Sequence, residues 1–249
     1  MDRVAEVGRW VAEADAVTVL TGAGISTDSG IPDFRGPQGL WTKDPSAQAL
    51  FTIDSYLSDP DVRRRAWQER LRHPAWSAQP GPGHRALVEL ERRGALRMIA
   101  TQNIDGLHQT AGSDPSLVLE LHGTIHEAVC LTCGLRTPMG EILERVRAGE
   151  EDPPCHACGG IQKSATISFG QSLDPDVLHA ASAAADTCDV FLAVGSSLQV
   201  MPAAGLCRLA TRAGARLVIV NAQPTPYDDD ADVVIRAPIA NALPAIVGG

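Results

Sequence analysis

The stretch VTVLTGAGISTDSGIPDFRG, residues 17–36, decides how the chain is read. It opens with an apolar run bounded by small residues, the pattern of a strand buried on both faces of a parallel sheet. The run ends in Thr21-Gly22-Ala23-Gly24, where glycine lets a backbone turn come close to a pyrophosphate. The dinucleotide fingerprint Gly-x-Gly-x-x-Gly wants a third glycine, and Thr27 stands in its place. The next burst, Gly30-Ile31-Pro32-Asp33-Phe34-Arg35-Gly36, is broken by proline and glycine and does not read as helix.

Outward from this turn, the pattern alternates. Residues 3–14 repeat valine at helical spacing (Val4, Val7, Val11), and Ala16–Leu20 reads as strand. A helix is expected over 83–96, with Ala86, Leu87 and Leu90 on one face and Gly94 near its C-cap. Strands follow in LRMIA, SLVLELHG, ATISFG, DVFLAVGSSL, RLVIVNAQ and ADVVIRAPI, with helices over 175–187 and 202–213. Strand alternating with helix predicts an α/β fold, a parallel sheet with helices on both faces. The segments 37–80 (short helices and loops) and 124–165 (turn-rich, both Cys pairs) break the alternation and read as insertions. Five strand ends carry small or polar residues: Thr21-Gly22-Ala23-Gly24, Thr101-Gln102-Asn103, His122-Gly123, Gly195-Ser196-Ser197 and Asn221-Ala222-Gln223. Ligands of open parallel sheets bind at the carboxyl ends of the strands, so five such ends fit one large polar ligand.

The 249 residues carry a formal net charge of −9. That balance opposes direct nucleic-acid binding and is compatible with a basic peptide substrate. Asp2, Glu6, Glu13 and Asp15 interrupt any apolar leader, and no run is long and uncharged enough to span a membrane, so a cytoplasmic protein is expected. No oligomeric signal stands out. Of six cysteines, four form the pairs Cys130-x-x-Cys133 and Cys155-x-x-Cys158. Two such knuckles, each followed by glycine, place four thiolates around one structural Zn²⁺; a redox pair and an iron–sulfur site are the alternatives. Residues 124–165 are themselves slightly acidic, which opposes a nucleic-acid-binding ribbon. Cys188 and Cys207 read as buried small apolar residues.

Taken in order, Gly22-Ala23-Gly24-Ile25-Ser26, Gly30-Ile31-Pro32-Asp33-Phe34-Arg35-Gly36, Thr101-Gln102-Asn103-Ile104-Asp105, His122-Gly123, the two Cys pairs and Gly195-Ser196-Ser197-Leu198 resemble the sirtuin family of NAD-dependent protein-lysine deacylases, of bacterial type. The resemblance implies a Rossmann-like NAD-binding domain (residues 1–36, 81–123 and 166–249) and a small domain made of a helical module (37–80) and a zinc ribbon (124–165). It also implies that NAD is consumed as a cosubstrate. A hydride-transfer enzyme would instead want an acidic residue about 20 positions past the turn, at the end of a second strand. Residues 42–46 read Thr-Lys-Asp-Pro-Ser, with no strand before them.

The resemblance assigns roles residue by residue. Backbone N–H groups of Gly22, Ala23 and Gly24, with Ile25 beside them, approach the pyrophosphate. Gly195, Ser196 and Ser197 supply donors to phosphate or ribose. Asn221, Ala222 and Gln223 lie at the adenosine ribose, and Ile239 backs the adenine. Gln102, Asn103, Ile104 and Asp105 line the nicotinamide end. Asp33, Phe34 and Arg35 belong to a loop covering NAD, with Phe34 shielding the reacting ribose carbon. His122 is the general base, taking a proton from a ribose hydroxyl after the acyl oxygen attacks the carbon that loses nicotinamide. The products are nicotinamide, free lysine and O-acyl-ADP-ribose. An acylated protein lysine is the partner. Its peptide lies extended between residues 168–173 and 197–202, with Ile167, Phe169, Gly170 and Val200 around the lysine stem.

Relative to the family pattern, Gln171 replaces a glutamate, Ser164-Ala165-Thr166-Ile167 replaces an Arg-Pro-led apolar run, and AQPGPGH replaces Pro-Asn-x-x-His. All three lie on the peptide side. Trp67-x-x-Arg70 stands where desuccinylating members carry Tyr-x-x-Arg. Deacetylation is the first expectation. Desuccinylation or broad deacylation through Arg70, and protein ADP-ribosylation, are the alternatives, with a non-catalytic zinc-ribbon module behind them.

Overall fold

The apolar run that opens the chain's reading forms the centre of a sheet. The computed structural model describes residues 3–37, 39–44 and 51–248. Residues 1, 2, 38, 45–50 and 249, which include part of the expected spans 1–36, 37–80 and 166–249 and of the 42–46 stretch, lie outside the described residues. In chain order the elements are α1 (Arg3–Glu13), β1 (Val17–Thr21), α2 (Leu40–Lys43), α3 (Ile53–Ser58), α4 (Pro60–Leu71), α5 (Pro82–Arg92), β2 (Leu96–Thr101), α6 (Leu107–Ala111), β3 (Val118–Glu120), β4 (Gly123–Cys130), β5 (Arg136–Pro138), α7 (Met139–Arg147), β6 (Gln162–Thr166), α8 (Pro175–Asp186), β7 (Val190–Val194), α9 (Gly205–Arg212), β8 (Arg216–Val220), β9 (Val233–Ile235) and α10 (Ile239–Val247).

Six strands pair in the order β3-β2-β1-β7-β8-β9, every pair parallel. Strand order reverses between β1 and β7, the topological switch point where such sheets hold ligands. Residues of β1, β7 and β8 alternate between two cores because successive side chains point to opposite faces. Val17, Val19, Leu192, Val194, Val218 and Val220 meet α1, α5 and α10 through Val7, Leu87 and Leu243. Leu20, Phe191, Ala193, Leu217 and Ile219 meet α8 and α9 through Ala181, Leu206 and Cys207. Both faces are covered, so these strands read as unbroken apolar runs. Within β1 the polar Thr18 is wholly buried and donates its hydroxyl to the Ala184 carbonyl at 2.8 Å.

A second, antiparallel sheet runs β5-β4-β6. Trp67 of α4, Ala128 of β4 and Met139, Ile142, Leu143 and Val146 of α7 make its core, so α3–α4 and the cysteine-bearing segment share one apolar interior. Tyr56 donates to the Gln162 carbonyl at 2.7 Å, and Arg63 pairs with Asp152 at 2.7 Å across the same junction. The architecture is thus the expected α/β one, with a doubly covered parallel sheet and a smaller cysteine-bearing unit.

Two elements differ from the sequence reading. The strand expected in ATISFG lies earlier, at Gln162–Thr166, and belongs to the small sheet. Its residues Gln162, Lys163 and Ser164 are buried although polar, so no apolar pattern marks it. Helix α10 follows the expected last strand and packs on α5 and α1. Its interior Pro244 argues locally against a helix, and burial of Leu243, Ile246 and Val247 overrides that. Among the described residues no helix is long and apolar enough to cross a membrane.

Candidate active site

The turn after β1 does not begin an α-helix. Ala23–Ile25 and Thr27–Ser29 are two short 3₁₀ turns, and Gly30 closes the second with φ +84°. Thr27, in the place of the third glycine, donates its hydroxyl to the Gly24 carbonyl at 3.0 Å. That bond holds the first turn onto the second, where a fingerprint glycine would let a long helix pack down.

The Gly22 and Gly24 N–H groups bond to the carbonyls of Val194 and Gly195 at 3.0 and 2.8 Å, so both already have partners within the chain. What these positions require is the absence of a side chain. A Cβ on Gly22 would sit 2.7 Å from the Gly195 oxygen, one on Gly24 2.7 Å from the Gly195 Cα, and one on Gly195 2.6 Å from the Ile25 nitrogen. The ends of β1 and β7 therefore meet backbone to backbone. Ala23 N–H, between the two glycines, is not among the turn's internal hydrogen bonds.

Above this turn the ends of β1, β2, β3 and β7 converge in one hydrogen-bonded network. Gln102 N–H binds the Thr21 carbonyl at 2.9 Å, and its side-chain amide donates to Ser196 Oγ at 2.7 Å. Ser196 Oγ also accepts from Leu198 N–H at 3.2 Å, which leaves the hydroxyl proton to point elsewhere. Leu198, buried with φ 52°, is held in a left-handed conformation by the same turn. Asn103 Nδ2 donates to the Gly22 carbonyl and to Ser26 Oγ, each at 3.2 Å, and Ser26 Oγ donates to Asp105 Oδ2 at 2.8 Å. Ser26, Asn103 and Asp105 are all buried.

His122 lies between β3 and β4. Its Nδ1 is 3.0 Å from the Gln102 carbonyl oxygen. A carbonyl only accepts, so Nδ1 carries the proton and Nε2 is left as the basic lone pair. Burial holds the imidazole below the ordinary histidine value, partly offset by the bond to Gln102. The ring is therefore neutral at neutral pH, the form a general base needs.

The loop of residues 33–36 packs on aromatic residues that follow it in the chain. The Phe34 ring lies 4.8 Å from Trp41 and 5.6 Å from Phe51, and the Arg35 guanidinium sits 4.5 Å over the Trp41 ring. Asp33 accepts the Gly36 N–H at 3.0 Å and shapes the loop itself. At the far end of the sheet, Asn221 Nδ2 bonds the Gln223 carbonyl at 2.8 Å, and Arg236 donates to the carbonyls of both residues. This ties Asn221, Ala222 and Gln223 into one turn. Ile239 begins α10 beside Gly83, at the edge of the core.

On the side of β6, Ile167 N–H bonds the His122 carbonyl at 2.8 Å, which fixes the exit of that strand to the His122 backbone. The Phe169 ring is 45% exposed, while its N–H and C=O bond to Phe51 and Ile53. Gly170 follows with φ +92°, and the Val200 carbonyl accepts Ala204 N–H at 3.0 Å. Trp67 is fully buried in the small-unit core. Arg70 donates to the Ala66 carbonyl and to Ser164 Oγ, and its Nε is buried with no partner among the described residues.

The four cysteine sulfurs of Cys130, Cys133, Cys155 and Cys158 all lie within 4.8 Å of one another. Cys130 and Cys158 are 3.5 Å apart, Cys133 and Cys155 3.8 Å. That clustering of four soft ligands fits one tetrahedral zinc and leaves no open position for catalysis.

The model of the Sir2, or sirtuin, family matches residues 22–202. The chain belongs to the Sir2 family. Among Sir2 relatives it is similar to NAD-dependent protein deacetylase 2 of Streptomyces coelicolor, with 57% identity over 94% of this chain and 97% of that protein. It is also similar to the NAD-dependent protein deacetylase of Rhodopseudomonas palustris, with 43% identity over 98% and 96%. A solved Sir2 bound to a deacetylated p53 peptide and 3′-O-acetyl-ADP-ribose superposes with a TM-score of 0.89 at 34% identity, covering 98% of this chain and 97% of that one.

Some parts of this Sir2 site were not singled out as site residues from sequence. Ser26 lies in the quoted glycine motif, but only its bond to Asp105 marks it as part of the polar cluster. Two buried histidines back that cluster. His84 Nδ1 accepts Gly81 N–H at 3.1 Å, and Nε2 lies 3.5 Å from Ser26 Oγ. His108 Nε2 bonds Thr21 Oγ1 at 2.9 Å. Burial lowers the first to about 4 and the second to about 3, so both stay neutral beneath the site. Their partners lie 58 and 87 residues away, beyond any local motif.

The Gly195 approach gives a direct expectation. Gly195 has φ +65°, so Gly195→Ala combines left-handed strain with steric overlap at the β1 turn. It should destabilise the large unit by about 3 kcal/mol, read as a lowered urea midpoint. A midpoint equal to wild type refutes the backbone-to-backbone account.

Proposed function

We propose that this chain removes acyl groups from lysine side chains of proteins and consumes NAD in doing so, with acetyl-lysine as the first substrate. The observation that carries the reading is the state of His122. Its Nδ1 proton is committed to the Gln102 carbonyl, and the same Gln102 reaches the Ser196 turn. The base and the strand-end residues thus form one rigid unit.

Bound NAD supplies an electrophilic ribose carbon as nicotinamide leaves. The chain's residues do the rest. Ala23 N–H and the Ser196 hydroxyl proton are donors suited to phosphate and ribose oxygens. Ser26, Asn103 and Asp105 form a fixed polar wall for a carboxamide. Phe34, held by Trp41 and Phe51, excludes water from the reacting carbon. His122 Nε2 takes a proton from a ribose hydroxyl. The acylated peptide adds as a strand between residues 168–173 and 197–202. Phe169 already spends its backbone groups on Phe51 and Ile53, so the pairing on that side falls to its neighbours. The domain bounds given above, a cytoplasmic setting and the absence of a nucleic-acid partner belong to the same reading. The free state of all six cysteines and the net charge of −9 support the last two.

Arg70 favours a second acyl group. Among the described residues its guanidinium has no carboxylate partner, which suits a succinyl carboxylate. Acetyl-, propionyl- and succinyl-lysine peptides assayed with NAD for nicotinamide release decide between them. Acetyl-lysine is expected to turn over at least tenfold faster than succinyl-lysine. The reverse order assigns Arg70 to the acyl carboxylate, and a modified protein in place of O-acyl-ADP-ribose makes the enzyme an ADP-ribosyltransferase.

A further inference from the structure

Of the 21 lysines and arginines in the chain, two are lysine, Lys43 and Lys163. They sit in opposite surroundings. Lys163, on β6, is 2% exposed and donates its ammonium to the carbonyls of Ser164 and Thr166. It offers no nucleophile to solvent. Lys43 is exposed at the C-terminal end of α2. Every other cationic side chain is an arginine, whose guanidinium stays protonated and is not acylated under conditions that acylate an amine. A protein that handles acyl-lysine thus presents one accessible lysine side chain of its own.

The position of that lysine matters. Leu40 N–H bonds the Asp33 carbonyl at 2.8 Å, Trp41 N–H the Phe34 carbonyl at 3.0 Å, and Thr42 Oγ1 the Gly36 carbonyl at 2.9 Å. The Arg35 guanidinium lies over Trp41, and the Phe34 ring packs against the same indole. Helix α2 and residues 33–36 are therefore bonded and packed into one piece, and Lys43 is its accessible amine.

We propose that Lys43 is an acylation site, that a second copy of the enzyme removes the acyl group, and that the modification weakens use of NAD. The inference rests on the deacylase reading above. The donor is an activated acyl carbonyl, either a thioester or an acyl phosphate. Neutral Lys43 Nζ attacks that carbonyl, the C–N bond forms, and the C–S or C–O bond breaks. The thiol or phosphate leaves, and the amine's surplus proton passes to solvent. Removal consumes one NAD and one water: the acyl C–N bond and the ribose–nicotinamide bond break, an acyl–ribose ester bond forms, and the products are free Lys43, nicotinamide and O-acyl-ADP-ribose. It acts between copies. A lysine bound as substrate must lie on an extended strand, and the three bonds that fold α2 onto residues 33–36 would have to break in the very loop that the same turnover needs. Acylation removes a cation from the helix bonded to residues 33–36, the loop that the reading above sets over an anionic dinucleotide, on a chain that is already net negative. The KM for NAD should rise roughly two- to fivefold, the scale of one exposed charge acting through water.

The test uses the full-length His122→Ala protein as the acyl acceptor, treated with acetyl phosphate in one arm and acetyl-coenzyme A in the other. Peptide mass spectrometry is expected to find acetyl at Lys43 in at least one arm, with Lys163 unmodified in both. Wild-type enzyme with NAD should then clear it, alongside an acetyl-lysine peptide as control. Lys43→Gln should show the raised KM for NAD at unchanged kcat, and Lys43→Arg the wild-type KM. The proposal is overturned if Lys43 stays unmodified in both arms, if the peptide is cleared while acetyl-Lys43 persists, or if the two variants share one KM. If neither peptide nor protein is deacetylated, the deacylase reading itself fails and takes the proposal with it.

Discussion

His122→Ala should lower kcat/KM for peptide-dependent nicotinamide release by about a thousandfold, the range of a lost general base, and leave the fold intact. The imidazole is only partly buried, and among the described residues its one hydrogen bond is to the Gln102 carbonyl. Its loss therefore opens no core cavity, and the Gln102 amide still holds Ser196. The wild-type pH profile gives the matching sign. The active form is neutral, and burial puts its pKa below 6.5. The acid limb of kcat/KM should therefore fall with decreasing pH through a midpoint under 6.5, with a plateau by neutral pH. Turnover in His122→Ala above a tenth of wild type, with a normal melting curve, sinks the base assignment. A midpoint above 7 contradicts the burial argument.

Cys155→Ser should cost nearly as much activity by a different route. Cys130 ends the strand that starts just after His122, and among the described residues none of the four sulfurs is hydrogen-bonded to a residue of the strand-end network. The zinc they fit closes the turns Cys130–Gly134 and Cys155–Gly159, whose backbone bonds run from Gly134 N–H to the Cys130 carbonyl and from Gly159 N–H to the Cys155 carbonyl. Binding free energy in such sites is folding free energy, about 10–16 kcal/mol in isolated zinc-finger peptides. Without it, β4 loses the support that sets the His122–Gly123 exit and the pairing of Gly123 with Thr166. Colorimetric zinc analysis should fall from one equivalent to under about a tenth. Near-UV circular dichroism should lose the signal of the Trp67 core, and deacylation should drop more than tenfold. A variant that keeps full activity without zinc removes the structural role.

The two effects differ in how visible their causes are in the chain. The zinc ligands are legible because each knuckle is local: two cysteines three positions apart, then a glycine. The strands of the large sheet are legible for a related reason. A strand covered on both faces has to be apolar throughout, as in Val190–Val194. Strand β6 was misplaced because a buried strand can instead satisfy polar residues by hydrogen bonding, as Lys163 and Gln162 do. The glycines of the first turn are legible as a close-approach motif, but not what they approach: they make room for Gly195, and their N–H groups donate to the Val194 and Gly195 carbonyls. Trp67 and Arg70 were legible as a spaced pair, but their spacing says nothing of direction. One fills a core and the other reaches Ser164.

The sequence by itself determined the alternation of strands and helices, the cysteine cluster and the ordered motifs of the Sir2 family, because each is written in neighbouring residues. Only the tertiary structure decided which N–H groups of the first turn are already spent, which nitrogen of His122 is free, and that Ser26, His84 and His108 stand behind Asn103 and Asp105. Each of those depends on a hydrogen bond between residues brought together from distant parts of the chain. A bond of that kind forms only when folding joins the ends of β1, β2, β3 and β7, and no local pattern of residues records it.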